Sequence, residues 1–193
     1  MKRIVVMQDI SCLGKCSLTV ILPVISAMGV ECAVLPTAVL STHTAFPAPA
    51  VAGLSDFAGQ AMEHWKTIGA KFDGILTGYL ANPAQVALAT RLMEEFAGPD
   101  TKIIVDPAMG DHGKLYSRLD EDHVFAMSEL CREADILLPN LTEAAALTGT
   151  PYREQVDRAY LEDLTQGLLA LGAKAAVITG VHFTDNTIGC FGK

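Results

Sequence analysis

Asp106-Pro107-Ala108-Met109-Gly110-Asp111 sets two carboxylates around a Pro and a Gly, directly after the apolar run Lys102-Ile103-Ile104-Val105. The run reads as a buried strand, so both acids fall at its carboxyl end. Ligands of open α/β sheets bind outside the carboxyl ends of strands. Carboxylates there suit Mg²⁺, a hard cation that keeps several waters and takes one or two acids plus substrate phosphates. Asp, Pro and Gly are also ordinary turn formers, and this segment alone leaves both readings open.

Other strand ends carry polar groups too. Gln8-Asp9-Ile10-Ser11-Cys12-Leu13-Gly14-Lys15-Cys16-Ser17 follows the first strand as a polar loop leading into a helix. Gly14-Lys15 fails as a phosphate-binding P-loop. That motif needs Gly where Asp9 stands and Ser or Thr where Cys16 stands. Asp9 and Ser11 remain as hydrogen-bonding groups or helix caps. Leu40-Ser41-Thr42-His43-Thr44-Ala45-Phe46-Pro47 gathers hydroxyls and an imidazole beyond the second strand. Thr77-Gly78-Tyr79-Leu80 offers close backbone approach at Gly78 and an aromatic face with a polar tip at Tyr79. Pro139-Asn140-Leu141-Thr142-Glu143 opens a helix, with Thr142 as the expected N-cap and Glu143 in the dipole-favoured first turn. Thr179-Gly180 closes the sixth strand.

These groups need a frame, and apolar runs of strand length alternate with amphipathic stretches of helix length. The expected strands are Arg3–Met7, Cys32–Leu35, Gly74–Thr77, Ile103–Val105, Ile136–Leu138, Ala175–Thr179 and Thr187–Phe191. The expected helices are Ser17–Met28, Asp56–Ile68, Pro83–Phe96, Asp122–Glu133, Thr142–Thr148 and Tyr160–Leu171. Pro83 suits a first helical turn, and Gly29, Gly149 and Gly172 suit helix ends. Pro23 should kink the first helix or delay its start. Alternation of this kind predicts an α/β fold with a parallel sheet covered on both faces.

Composition narrows the function. The 193 residues are half apolar and 19% charged, which fits one folded domain rather than disorder. A formal charge of −8 provides no basic face for nucleic acid. It suits a phosphorylated ligand only if a metal ion supplies positive charge. No apolar run reaches membrane-spanning length, so no membrane partner is expected. Cys12, Cys16, Cys32, Cys131 and Cys190 are odd in number and form no CxxC pair, as in a reduced, cytoplasmic protein. The last strand pattern is followed only by Gly192-Lys193. The expectation is therefore a single domain over residues 1–193 that is incomplete at its C-terminus.

Taken together, Gln8 through Leu18, Ser41-Thr42-His43-Thr44, Thr77-Gly78-Tyr79-Leu80, Asp106 through Asp111 and Pro139 through Glu143 resemble, in order and spacing, the pyridoxal/pyridoxamine kinase family of the ribokinase-like superfamily. The resemblance implies a three-layer ribokinase-like fold, with a mostly parallel central sheet, helices on both faces and its C-terminal part lacking. It implies ATP-dependent phosphorylation of the hydroxymethyl group of pyridoxal, pyridoxamine or pyridoxine by a cytoplasmic homodimer using Mg²⁺, often with K⁺. Asp9, Thr44 and Tyr79 fall on ring-binding positions, with Asp9 where the family often has Ser. Asp106, Asp111, Asn140, Glu143 and Thr179 fall on nucleotide-binding positions, and Asp106, Asp111 and Glu143 on the metal site.

One departure matters. The family's Gly-x-Gly-Asp motif, which supplies the catalytic base and an anion hole, does not occur in these 193 residues. The expectation is that this chain alone turns over poorly. Two other readings keep the same residues: a hydroxymethylpyrimidine or other small-molecule kinase of the superfamily, and a non-catalytic ligand-binding fragment. A cysteine hydrolase at Cys12 or Cys16 lacks a local His base.

Overall fold

The computed structural model describes residues 1–183 and 187–193, and the chain forms two compact units. The first comprises Met1–Leu80 and Ala84–Lys102. It contains β1 (Arg3–Leu13), α1 (Leu18–Ala27), β2 (Glu31–Thr42), β3 (Val51–Gly53), α2 (Ser55–Thr67), β4 (Gly74–Thr77) and α3 (Pro83–Phe96, from Ala84). The strands lie in the order β4-β1-β2-β3, with β1 parallel to both β4 and β2 and β3 antiparallel at the edge. Val5, Val6 and Met7 of β1 are fully buried, as a central parallel strand requires.

Two strands run past their apolar signal. β1 continues to Leu13 and β2 to Thr42, so the expected polar loop from Gln8 is strand for six residues. After a bulge between Gln8 and Ile10, Ile10 pairs with Val39, Ser11 with Leu40 and Leu13 with Thr42. Ladder bonds use the backbone and are indifferent to side-chain polarity, which is why hydropathy alone stopped the strand at Met7. α1 starts at Leu18 and runs on past Pro23, so the proline does not delay it. Arg91 pairs with Glu63 and Glu95, and Lys66 with Glu95, tying α2 to α3 beside a Trp65, Phe72 and Phe96 cluster.

The second unit comprises Ala81–Pro83 and Ile103–Lys193. It contains β5 (Lys102–Val105, from Ile103), β6 (Gly110–Asp111), β7 (Lys114–Leu115), α4 (Glu121–Arg132) and β8 (Ile136–Leu137). α5 (Leu141–Thr148), α6 (Arg158–Ala170), β9 (Ala175–Val181) and β10 (Gly189–Gly192) complete it. β5, β8 and β9 are parallel neighbours, and β10 lies antiparallel on the outer side of β9. The closing run Thr187–Phe191 is thus an edge strand shifted to Gly189–Gly192. β6 and β7 form a separate hairpin absent from the sequence expectation. The core gathers Val105, Met109, Met127, Leu137, Leu161 and Ile178, all fully buried.

In the second unit helix starts follow side-chain chemistry. Asp120 accepts the His123 N–H (3.1 Å) and Asp157 the Tyr160 N–H (2.8 Å). At α5 the cap is Asn140 rather than Thr142: Asn140 Oδ1 accepts the Glu143 N–H (3.0 Å) and Glu143 Oε2 accepts the Asn140 N–H (2.8 Å). This reciprocal capping box outcompetes a Thr placed two residues further along.

Candidate functional site

In the first unit, Asp9, Thr44 and Tyr79 come from the carboxyl-end regions of the neighbouring strands β1, β2 and β4. Asp9 is 4% exposed. Its Oδ1 accepts the Ser17 hydroxyl at 2.7 Å and its Oδ2 the Ser11 hydroxyl at 3.4 Å. Ser17, the residue before α1, sits at φ 52°, a conformation rare outside glycine. The bond to Asp9 helps hold it there. Gly14 has φ +85°, and a Cβ on it would lie 2.3 Å from the His43 ring. The Gly14–Ser17 loop is therefore pressed against the segment that bears Thr44, itself exposed. Tyr79 is half-buried.

Among the described residues of this unit three buried polar atoms have no hydrogen-bond partner: Arg3 Nε, Gln8 Nε2 and Thr77 Oγ1. A Cβ at Gly78 would lie 2.1 Å from Gln8 Oε1, so only glycine leaves room for that amide. Sequence reading singled out neither Gln8 nor Thr77. A polar residue at the end of an otherwise apolar strand was the available signal.

In the second unit, Asp106 follows β5, Asn140 follows β8 and Thr179 lies in β9. Glu143 is 2% exposed and sits in the first turn of α5, its Oε1 accepting the Met109 N–H at 3.2 Å. Asn140 Nδ2 donates to the Gly110 carbonyl at 2.7 Å. Glu143 and Asn140 thus lace α5 to the Met109-Gly110 backbone. Asp106 keeps part of its surface open, yet it is densely surrounded and its carboxylate has no hydrogen-bond partner among the described residues. Loss of hydrating water pushes its pKa from 3.8 to about 6. Burial and then the nearby Asp106 push Glu143 from 4.5 to about 8, against the pull of the backbone N–H groups of Asn140, Met109 and Gly110. The buried Cys131 thiol beside them is raised as well, chiefly by burial and then by Glu143 and Asp106.

Asp106 lies near enough to Glu143 to raise its pKa, and Asp111 lies on the β6–β7 hairpin. Asp111 is exposed (59% of its side chain), accepts the His112 N–H at 2.8 Å and lies 3.6 Å from the His112 ring. Among the described residues no group of three or more His, Cys, Asp or Glu side chains is placed to hold a metal ion. Thr179 N–H donates to the Pro139 carbonyl at 2.8 Å, beside Asn140.

The profile of the phosphomethylpyrimidine kinase family matches residues 22–190. The chain belongs to this family. A pyridoxal kinase from Dictyostelium discoideum is 26% identical over 167 residues, covering 82% of this chain and 53% of its own. The crystal structure of a pyridoxal kinase from Lactobacillus plantarum has 40% identity and a TM-score of 0.88, over 98% of this chain and 67% of that one. A candidate phosphomethylpyrimidine kinase from Bacteroides thetaiotaomicron, crystallised with pyridoxal, has 37% identity and a TM-score of 0.91, over 96% and 65%. The chain spans about half the length of the curated relatives it matches. The α/β, mostly parallel, ribokinase-like architecture read from the sequence agrees with these neighbours. Among the described residues no helix is long and apolar enough to cross a membrane.

Proposed function

We propose that the chain is the acceptor- and nucleotide-binding part of an ATP-dependent kinase acting on the hydroxymethyl group of a B6 vitamer, with pyridoxal the first candidate. The reading rests on one observation above the others: an unpartnered Asp106 beside Glu143, both held above the ordinary carboxylate range. Two acids withdrawn from water that repel each other are stabilised by a divalent cation, and groups with such perturbed titration cluster at functional sites. Asp106 and Glu143 are the carboxylates that would hold Mg²⁺, a hard cation that takes one or two acids along with phosphate oxygens. Bound there, Mg²⁺ would neutralise charge on the transferred phosphoryl group. Asp111 enters as a second, exposed carboxylate for the metal or its waters, while Asn140 and Thr179 orient the phosphate tail.

Asp9 takes the ring end. Its Oδ atoms accept from hydroxyls now and can accept from a protonated ring nitrogen, while Tyr79 stacks on the ring and Thr44 hydrogen-bonds its substituents. Phosphoryl transfer depends on positioning and charge stabilisation, which these residues supply. Deprotonation of the acceptor hydroxyl is assigned to none of them, because no Gly-x-Gly-Asp stands in the 193 residues.

An aminopyrimidine alcohol is the second reading. It is favoured by the family profile and by the Asp9 carboxylate, which matches an exocyclic amine as well as a ring N–H. Cytoplasmic location, a homodimer when full length and use of K⁺ alongside Mg²⁺ belong to the same proposal. The test is calorimetric titration of Mg·ADP, pyridoxal, pyridoxamine and hydroxymethylpyrimidine, with γ-phosphate transfer followed in K⁺ and Na⁺ buffers. Mg²⁺-dependent nucleotide binding with tighter binding of a vitamer than of the pyrimidine is expected. Nucleotide binding indifferent to Mg²⁺ would refute the metal site, and preference for the pyrimidine would move the substrate to the second reading.

A further inference from the structure

The β6–β7 hairpin carries Asp111, and its turn is His112-Gly113, with φ of 49° and 73°. Both positive values match the tight turn that suits a two-residue hairpin loop. A surface turn of this kind ordinarily leaves its N–H groups to water. Here the Gly113 N–H donates to Thr142 Oγ1 at 2.9 Å, and Thr142 is 6% exposed. The ring of Tyr152 closes on the same glycine: a Cβ there would lie 2.6 Å from Tyr152 Cδ1. At the start of β6, the Gly110 carbonyl is held by Asn140. The hairpin is therefore pinned at its turn and at the start of β6, and both hydrogen bonds come from the start of α5, the turn that also bears Glu143.

We propose that Thr142 is a positioning residue for nucleotide binding: its hydroxyl latches the Asp111 hairpin to the first turn of α5, with Tyr152 as the backing wall. Thr142 touches no substrate in this scheme. It sets how much ordering the hairpin must undergo when a Mg·nucleotide arrives, and pre-ordered loops bind more tightly because that cost is already met. The hydroxyl is free for this task because Asn140, not Thr142, caps the helix. The inference rests on the nucleotide-binding reading above.

The test uses this chain with Thr142→Val, which keeps the shape and removes the acceptor, and Thr142→Ser, which restores it. Hydrogen exchange at the Gly113 amide reads the latch, and calorimetric titration with Mg·ADP reads its consequence. The expected result for Thr142→Val is at least tenfold faster Gly113 exchange and about five- to tenfold weaker Mg·ADP binding, the loss that follows from one hydrogen bond. Thr142→Ser should stay within about twofold of the parent in both, since the acceptor is retained. Tyr152→Ala, which opens the other side of the turn, should act in the same direction and serves if the valine variant folds poorly. Unchanged Gly113 exchange in Thr142→Val overturns the latch. Faster exchange with unchanged Mg·ADP affinity overturns its role in binding. No Mg·ADP binding by the parent chain sinks the nucleotide reading itself and this inference with it, an outcome separable from the other two because the parent then shows no affinity to lose.

Discussion

Replacing Glu143 by glutamine should flatten how stability depends on pH. In the fold Glu143 titrates at about 8 rather than 4.5, and Asp106 at about 6 rather than 3.8. Both shifts are upward, so between roughly pH 4 and 8 the folded chain holds protons that the unfolded chain has released. Stability must then fall as pH rises through that window. A gap of one pH unit corresponds to about 1.4 kcal/mol, which gives Glu143 a ceiling near ~5 kcal/mol. Effective dielectric screening around real buried sites brings the working value to about 2 kcal/mol, or roughly 4–8 °C in Tm for a chain of this size. The glutamine amide cannot ionise, but its single carbonyl serves only one of the Asn140 and Met109 N–H groups that Glu143 serves with two oxygens. That mismatch costs about 1–3 kcal/mol at acid pH. The parent should therefore lose about 4–8 °C between roughly pH 5 and pH 8.5. The variant should start lower, lose half as much or less, and meet the parent near the alkaline end. Differential scanning calorimetry across that range decides it. A parent whose Tm is flat or rises, or a variant that keeps the full parental slope, refutes the mutually repelling pair.

Other outcomes follow from single contacts. Asp106→Asn should weaken Mg·ADP binding at least tenfold in calorimetry while raising stability near pH 8 by about 1–2 kcal/mol, because an unpartnered, poorly hydrated charge disappears. Gly78→Ala should cost about 1–3 kcal/mol in urea unfolding, since its methyl meets Gln8 Oε1 at 2.1 Å. Asp9→Asn should weaken pyridoxal binding about tenfold in an absorbance titration and loosen the Ser17 bond at the start of α1. A maleimide reagent should modify exposed Cys12, Cys16 and Cys190 well before Cys131, whose thiol is buried and hard to ionise.

Much of the frame was legible because burial writes itself into hydropathy. β4 at Gly74–Thr77 and α3 at Pro83–Phe96 match the sequence expectation residue for residue, and the other helices agree within two residues at either end. The failures share one cause. β1 beyond Met7, β2 beyond Leu35, β3 and the β6–β7 hairpin are held by backbone pairing between segments in which polar residues interrupt the apolar run or which are only two or three residues long. Nothing in a residue's polarity records a ladder bond to a distant strand. The α5 cap failed for a related reason: Asn140 and Thr142 are both good caps, and reciprocal bonding with Glu143 chose between them.

The acidic motif shows how far spacing can go and where it stops. Asp106, Asp111 and Glu143 were expected to converge, and the positions along the chain gave no reason to separate them. Pro107 follows Asp106 directly, while Gly110 and Asp111 enter a hairpin strand, where neighbouring side chains leave on opposite faces. Gly110 is buried and Asp111 is therefore exposed. Asp106 keeps its place beside Glu143, at an electrostatic cost that packing alone gives no reason to retain. The capping box and the Met109 N–H hold Glu143 there, whereas Asp106 has no such bond among the described residues, and the change of pH slope in Glu143→Gln is the direct measure of that cost.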